Sequence, residues 1–234
     1  NQWEYTYDCL HSLKENTRPD IQVIVVDNGS SDKTVSDLDL LGNSLWQDSF
    51  LALHLKENLG FAAACNQGAR YAASDYLFFL NNDTLLRPNW LPPILEHLDD
   101  NKIGAVGPLL LYPSNNRVQH LGIVFEPGPH VDHLYELFPE DHELVHKKRN
   151  LQAITAAAIG IRKELFLESG ALAECYKNGC EDIELCFRLK NKGYRLECAT
   201  ESKIYHFTSQ TEGRFDNDLQ NSSLLVSRHG QDIR

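Results

Sequence analysis

The stretch YLFFLNNDT, Tyr76–Thr84, joins five apolar or aromatic residues directly to the polar residues Asn81, Asn82 and Asp83, and Thr84 follows them. A short apolar run that does not alternate with polar residues is typical of a strand covered on both faces, as in a parallel sheet between helices. Ligands of such open sheets bind beyond the carboxyl ends of the strands. Asn81, Asn82 and Asp83 are therefore predicted to form either a simple turn, which Asn and Asp favour, or part of a ligand-binding rim.

The residues on both sides of this stretch alternate between strand and helix patterns. The predicted strands cover residues 21–27, 50–55, 76–80 and 103–111, and the predicted helices cover residues 3–16, 62–73 and 88–98, with one more beginning near Lys33 after a capping Asp32. This order predicts an α/β fold with a doubly wound, mostly parallel, Rossmann-like sheet and helices on both faces.

Residues 112–150 break the pattern with several prolines, glycines and asparagines, and we interpret them as an irregular insertion or lid. Order returns at residues 151–166, which predict a strand turning into a short helix. Residues 180–194 predict a capped helix that ends at Gly193. Residues 194–200 and 202–207 predict two closing strands, and no element is predicted after them.

Composition limits the classes of partner. The chain has 234 residues and a formal net charge of −11, which argues against nucleic acid as the main partner. A phosphorylated substrate would need a divalent cation or local basic groups beside so acidic a chain. No apolar run approaches the length of a membrane span. The six cysteines form no C-x-x-C pair, which favours free thiols over a disulfide or zinc framework.

Five ordered blocks carry a resemblance that no single block would carry. They are VVDNGSSDKT (25–34), ENLGFAAACNQG (57–68), FFLNNDT (78–84), GCEDIELCFRL (179–189) and IYHFTSQT (204–211). Together they resemble the family 2 glycosyltransferases with the GT-A fold, particularly the non-processive bacterial rhamnosyltransferase-like group. The Gln-x-x-Arg-Trp motif of the processive synthases is absent from the sequence, which favours transfer of one sugar or a few.

The resemblance implies a divalent metal site for Mg²⁺ or Mn²⁺. Asp83 matches the metal-binding carboxylate of an Asp-X-Asp-like motif, in which Asn81 stands where the family has a first Asp. His206 matches a second metal ligand, and a neutral imidazole suits that role. Ser209 is expected to orient a phosphate.

The resemblance also implies donor-binding and catalytic residues. Asp182 matches the general base, with Glu181 as a substitute, although acids at a helix start are also stabilising through the helix dipole. Asp27 and Asn28 are expected to read a uracil or thymine base, and Asn82 to face the ribose or phosphate. The expected nucleotide-sugar-binding residues are Asp27, Asn28, Asn58, Gly60, Asn66 and Asn82, with Gly60 allowing a close approach of the backbone.

The implied activity is an inverting transfer of a sugar from a UDP- or dTDP-sugar to a hydroxyl of a glycan or lipid-linked acceptor. The resemblance places it in bacterial surface polysaccharide synthesis, in the cytoplasm or at the inner face of the membrane. Residues 1–111 would form the nucleotide-sugar-binding half, residues 112–150 the lid, and residues 151–234 the acceptor and catalytic half of one GT-A domain.

The family normally opens with a strand that would precede Asn1, so we expect the chain to be a fragment of a longer protein. Two alternatives remain at this stage. One is a non-catalytic member of the same fold that binds a nucleotide-sugar, as the substitution at Asn81 suggests. The other is a magnesium-dependent nucleotidyltransferase, which also binds nucleotides on an α/β sheet.

Overall fold

The computed structural model describes residues 1–18, 21–125, 131–208 and 216–233. The helices are α1 (Trp3–Asn16), α2 (Thr34–Trp46), α3 (Phe61–Tyr71), α4 (Leu91–Leu98), α5 (Lys163–Glu168), α6 (Glu181–Asn191) and α7 (Asp218–His229). The strands are β1 (Val23–Asn28), β2 (Phe50–Leu55), β3 (Tyr76–Leu80), β4 (Thr84–Leu86), β5 (Ile103–Leu111), β6 (Val118–His120), β7 (Ile123–Phe125), β8 (Val131–His133), β9 (Ala158–Arg162) and β10 (Arg195–His206). The predicted alternation of strands and helices is confirmed in the first 111 residues.

The strands form a main sheet in the order β3-β9-β5-β10-β4, with β6 paired to β5. Helices cover both of its faces, because Leu109 and Leu111 of β5 pack in the cluster that includes α6, while Leu110 packs in the cluster that includes α1. Strands β1 and β2 pair in parallel, and β7 and β8 form an antiparallel pair. The predicted α/β architecture with helices on both faces is therefore confirmed.

The main sheet is mixed in direction. Strand β5 runs parallel to β10, whereas β9 runs antiparallel to both β3 and β5. The chain enters β9 at the edge of the sheet where β3 ends. There Asn81, the residue after β3, donates its N–H to the backbone oxygen of Ala157, the residue before β9 (2.8 Å). A strand that starts at this rim must run away from it, so β9 opposes the direction of its neighbours.

Three predictions for the second half of the chain need correction. Residues 112–150 are not wholly irregular, because they contain β6, β7 and β8. The two predicted closing strands are one strand, β10, whose pairing with β5 shifts register between Ala199 and Lys203. Helix α7 follows them where no element was predicted.

One side chain, that of Asp32, connects the start of α1 to the start of α2. Asp32 accepts hydrogen bonds from the backbone N–H of Thr34 (3.1 Å) and of Trp3 (3.0 Å), so the predicted cap of α2 also holds the start of α1. Backbone N–H groups in the first turn of a helix have no partner within the helix, and a carboxylate satisfies them. The buried face of α1 is formed by Thr6, Cys9, Leu10 and Leu13, whereas Tyr7 is exposed.

Strands β1 and β3 each keep one edge without a partner strand among the described residues. Asn1 lies beside the carboxyl end of β1, where its side chain accepts a hydrogen bond from Ser31 N–H (2.7 Å). The resemblance expects a further strand before Asn1, and this strand remains a prediction. The division into residues 1–111, 112–150 and 151–234 of a single domain also remains a prediction.

Two leucines of α2 give a matched test of the core. Leu38 is fully buried, whereas Leu40 is 74% exposed on the same helix. Leu38→Ala is expected to lower the free energy of unfolding by about 2–5 kcal/mol, because a cavity remains. Leu40→Ala should change it by less than about 0.5 kcal/mol. Urea unfolding of both variants measures the difference, and equal effects would contradict the packing of α2.

Candidate active site

Polar side chains from separate strands meet at one rim of the molecule. Asp27 and Asn28 end β1, Asn81–Asp83 follow β3, and His206 ends β10. These are the carboxyl ends of the strands, where ligands of open α/β sheets bind. The rim predicted from the sequence is therefore present in the fold, and the turn and rim interpretations of Asn81–Asp83 are compatible.

Asp83 and His206 are brought together by the pairing of β4 with β10. His206 is paired with Thr84, and Phe207 N–H donates to the backbone oxygen of Asp83 (2.9 Å). Both side chains are buried, and Oδ1 of Asp83 lies 3.3 Å from Nε2 of His206. That carboxylate oxygen is shielded from solvent and has no hydrogen-bond donor within the described residues. A buried anionic oxygen without a donor is costly, so this position suits a cation.

The donor set fits a divalent ion that keeps most of its coordination sites for other ligands. No third His, Cys, Asp or Glu of the described ranges joins Asp83 and His206 to complete a protein metal site. Mg²⁺ commonly binds through one or two carboxylates and keeps waters or substrate phosphates as further ligands. Carboxylate and water ligands also suit Mn²⁺, which binds mixed nitrogen and oxygen sites more weakly than the later first-row divalent metals do.

Gln119 contacts His206 and was missed by the sequence analysis. Its Oε1 lies 2.7 Å from Nδ1 of His206, and its Nε2 donates to the backbone oxygen of His206 (2.7 Å). Gln119 belongs to β6 within residues 112–150, and only this long-range pairing brings it to the rim. A lone Gln in a Pro- and Gly-punctuated stretch gave no signal of its own.

Asp182 is held at the start of α6 by two backbone donors. Its Oδ2 accepts from Ala156 N–H (2.9 Å), and its Oδ1 accepts from Ile183 N–H (2.8 Å). Its neighbour Glu181 is buried and accepts from Gly179 N–H (2.7 Å), whereas Glu184 pairs with Arg228 of α7. The three acids of the first turn therefore have different partners, and Asp182 is the one that faces the segment before β9.

The backbone of the segment Thr155–Ala157 contacts both Asp182 and the residues that follow β3. Ala156 N–H donates to Asp182, and Ala157 accepts from the N–H of Asn81, the first residue of the NND motif. Thr155 N–H donates to Nε2 of His120 (3.3 Å). The predicted base Asp182 and the predicted metal-binding motif thus both form hydrogen bonds with the backbone of the same short segment.

Two further histidines lie close to this rim. Nδ1 of His120 lies 2.7 Å from Nδ1 of His133. Burial, and then the charges of His133 and His206, hold the pKa of His120 well below its ordinary value, so His120 is neutral. Because its Nε2 accepts from Thr155, its hydrogen is on Nδ1 and is donated to His133, which leaves the hydrogen of neutral His133 on Nε2.

Asp27 is paired with a histidine that the sequence analysis missed. The parallel register of β1 and β2 sets Asp27 beside His54, whose Nδ1 lies 3.0 Å from Oδ2 of Asp27 and whose Nε2 lies 2.7 Å from Asp39. Burial alone would raise the pKa of Asp27, but hydrogen bonds from Ser30 and His54 lower it below the usual value. Hydrogen bonds to Asp27 and then Asp39 raise the pKa of His54.

Asn28 and Asn58 hold the loop before α3. Asn28 donates to Oδ1 of Asn58 (2.9 Å) and to the backbone oxygen of Gly60 (3.2 Å), and it accepts from Leu59 N–H (2.9 Å). Gly60 has a φ of +87°, which favours glycine, while a Cβ there would meet nothing within 4 Å. The backbone approaches closely at Gly29, where a Cβ would lie 2.7 Å from the backbone carbon of Glu57, and the close approach to a donor expected at Gly60 remains a prediction.

The other predicted donor-binding residues are placed differently from one another. Asn82 is exposed at the rim and donates to Oγ1 of Thr6 (2.9 Å). Asn66 is buried and bonds to the backbone of Leu172 in both directions and to Glu174, so it links α3 to the residues after α5. Its role in donor binding remains a prediction. Ser209 lies outside the described residues.

Comparison with known families identifies the chain. Residues 1–170 match the model described as Glycosyl transferase family 2. The chain belongs to this family. The resemblance to the family 2 glycosyltransferases is thereby confirmed, and the narrower resemblance to the non-processive rhamnosyltransferase-like group remains a prediction.

Two relatives of the chain are longer proteins. The chain is 30% identical to the O-antigen biosynthesis protein RfbC of Myxococcus xanthus over 86% of its length, and it covers 16% of that protein. It is 28% identical to the pre-mycofactocin glycosyltransferase of Mycobacterium tuberculosis over 80% of its length, covering 37% of that protein. The chain thus spans well under half of either relative.

Two solved structures share the fold at low sequence identity. A structure of GalNAc-T7 with UDP, GalNAc and Mn²⁺ matches 94% of this glycosyltransferase chain and 44% of its own, with a TM-score of 0.74 and 16% identity. A mannosyltransferase from Pyrobaculum calidifontis in complex with GDP-Man and Mn²⁺ matches 100% of the chain and 61% of its own, with a TM-score of 0.70 and 18% identity. The GT-A fold is confirmed.

Among the described residues, no helix has the length and apolar character needed to cross a membrane.

The pairing of His54 with two carboxylates predicts a pH-dependent contribution to stability. Because the folded state raises the pKa of His54, the stabilisation is complete below the ordinary histidine pKa of about 6.5 and declines as the pH rises through the folded value. His54→Asn should therefore lower the free energy of unfolding by about 1 kcal/mol or less near pH 6, with a smaller loss near pH 9, since His54 is partly exposed.

Urea unfolding at the two pH values measures this difference. His11→Asn is the control, because His11 lies on α1 against the ring of Tyr7 and away from Asp27. An effect of His54→Asn that is the same at both pH values would contradict the ion pairs.

Proposed function

We propose that this domain is a metal-assisted, inverting glycosyltransferase that moves a sugar from a UDP- or dTDP-sugar to a hydroxyl of a glycan or lipid-linked acceptor. One observation carries the proposal. Oδ1 of Asp83, buried and without a donor, faces His206 Nε2 at 3.3 Å at the carboxyl rim of the sheet. On the same rim Asp182 is oriented by two backbone N–H groups.

Asp83 and His206 would hold the divalent ion, Mg²⁺ or Mn²⁺. When bound, such an ion acts as a Lewis acid that neutralises charge on the departing diphosphate. Asn81 stands where the family has the first Asp of the motif, so the protein contributes less negative charge to the metal site than a motif with two Asp residues would. Two solved structures with the same fold contain Mn²⁺ together with a nucleotide or a nucleotide-sugar, which supports this assignment.

Asp182 would take the proton from the acceptor hydroxyl. Each of its two oxygens accepts one backbone hydrogen bond and keeps lone-pair capacity for another donor. The bonds to Ala156 and Ile183 fix the carboxylate before the acceptor arrives, which reduces the ordering needed for reaction. Glu181 is a weaker candidate, because it is buried and bonded to Gly179.

The nucleotide would lie over the ends of β1 and β3. Asp27 is a carboxylate with spare acceptor capacity for the ring N–H of uracil or thymine, and Asn82 is exposed beside the metal motif. Asn28, Asn58 and Gly60 would act by shaping the loop at the start of α3. The similar structures contain UDP in one case and GDP-Man in the other, so the choice of a UDP or dTDP donor rests on the sequence resemblance.

The acceptor would contact residues 112–150, which supply His133 to the rim. The likeness to an O-antigen biosynthesis protein supports a role in bacterial surface polysaccharide synthesis, and action in the cytoplasm or at the inner membrane face belongs to the same proposal. A nucleotidyltransferase receives no support from the family assignment. The non-catalytic alternative is an outcome of the following tests.

Asp83→Ala is expected to abolish metal-dependent nucleotide binding, because it removes the carboxylate ligand. Calorimetric titration of UDP and dTDP, each with and without Mn²⁺, measures this on the parent protein and on the variant. Asp48→Ala, at an exposed position after α2, is the control for the loss of one negative charge. Metal-independent binding that Asp83→Ala leaves unchanged would contradict the metal site.

Asp182→Asn is expected to lower sugar transfer by about 100-fold or more while nucleotide binding stays unchanged, because an amide cannot accept the proton. Glu181→Gln should cost less if Asp182 is the base. Transfer to a panel of glycan acceptors, together with donor hydrolysis without acceptor, provides the measurement. A parent protein that binds UDP with metal but neither transfers nor hydrolyses would support the non-catalytic alternative.

A further inference from the structure

The amide of Gln119 has only one orientation that satisfies both of its contacts with His206. The backbone oxygen of His206 can only accept, so the group that lies 2.7 Å from it must be the NH₂ of Gln119. The oxygen of the amide then faces Nδ1 of His206 at 2.7 Å. An amide oxygen can only accept, so Nδ1 of His206 must carry a hydrogen.

This hydrogen fixes the other nitrogen of the ring. A neutral imidazole carries one hydrogen, and the one on Nδ1 leaves Nε2 with a lone pair. Nε2 is the atom that faces the orphaned oxygen of Asp83 at 3.3 Å. Two acceptors aimed at each other repel in the absence of a cation, and both are suited to coordinate one.

The backbone explains why a glutamine side chain reaches this position. Val118 pairs with Leu111 and His120 pairs with Leu110, so Gln119 is an extra residue in β6, a β-bulge. Bulges occur next to active sites, where they redirect a side chain. Gln119 is buried beside fully buried Val118, and burial of an amide without partners would be costly. Its two bonds to His206 remove that cost.

We propose that Gln119 is a positioning residue that holds His206 in the Nδ1–H tautomer and thereby presents Nε2 as a metal ligand. The inference rests on the proposed function, because it concerns the same metal site. Histidine ligands of metals commonly donate their second N–H to a neighbouring acceptor, and loss of that acceptor weakens metal binding by about 10- to 100-fold. Gln119 provides that acceptor from a segment that contributes no residue to the predicted site.

The first measurement is the tautomer of His206 in the metal-free protein. Long-range ¹H–¹⁵N spectra of protein labelled at histidine distinguish a protonated Nδ1 from a protonated Nε2, and His206→Asn assigns the signal. At about pH 8.5, above the ordinary range of histidine pKa values, His206 should show hydrogen on Nδ1. Hydrogen on Nε2 in the parent protein would overturn the inference without any variant.

Three variants extend the test. Gln119→Leu should transfer the hydrogen partly or wholly to Nε2 and weaken Mn²⁺ binding in the presence of UDP by about 10- to 100-fold. Gln119→Glu keeps an oxygen acceptor and should retain the Nδ1–H signal. Gln22→Leu is the matched control, because Gln22 also bonds to two backbone groups, Ala73 N–H and the oxygen of Tyr71, at the other end of β1.

The two readouts separate this inference from the proposed function. If the parent protein binds no Mn²⁺ but shows Nδ1–H that Gln119→Leu removes, the metal site fails and the positioning by Gln119 stands. If Mn²⁺ binds but Gln119→Leu changes neither the tautomer nor the affinity, the positioning role is overturned and the metal site stands. Loss of Mn²⁺ binding in Gln119→Leu with an unchanged tautomer of His206 would also overturn the positioning role, since the substitution would then not act through His206.

Discussion

The antiparallel pairing of β4 with β10 is the constraint on which the candidate site depends. It sets Asp83, which follows β3 after two residues, against His206, which lies more than 120 residues later in the chain. The hydrogen bond from Phe207 N–H to the oxygen of Asp83 locks this register. A slip of one residue would turn either side chain to the opposite face, so the 3.3 Å approach is a consequence of backbone pairing.

The elements of this fold that depend on local sequence were predictable. β-Branched and aromatic runs marked β1 and β3, and polar residues directly after them marked the rim, because a strand end is a local feature of the sequence. The acidic start of α6 was visible for the same reason. Five blocks in a fixed order then identified the family, and the roles of Asp83, His206 and Asp182 followed from the resemblance and not from any local pattern.

Features set by distant contacts were not predictable. The direction of β9 depends on where the chain returns to the rim, and the position of Gln119 depends on a bulge opposite Leu110 and Leu111. Helix α7 escaped prediction because it buries little beyond Asn221 and Leu225 and attaches by polar contacts such as that of Arg228 with Glu184. His54 became relevant only through its register against Asp27.

The segment Thr155–Ala157 has a consequence for how this site tolerates change during evolution. Its contacts to Asp182 and His120 are made by backbone N–H groups, which every residue type except proline supplies, and its contact to Asn81 is made by a backbone oxygen, which every residue type supplies. Substitutions of similar size therefore preserve these anchors, whereas the insertion or deletion of one residue would displace all three at once. Natural selection on this stretch should consequently act on its length more strongly than on its composition.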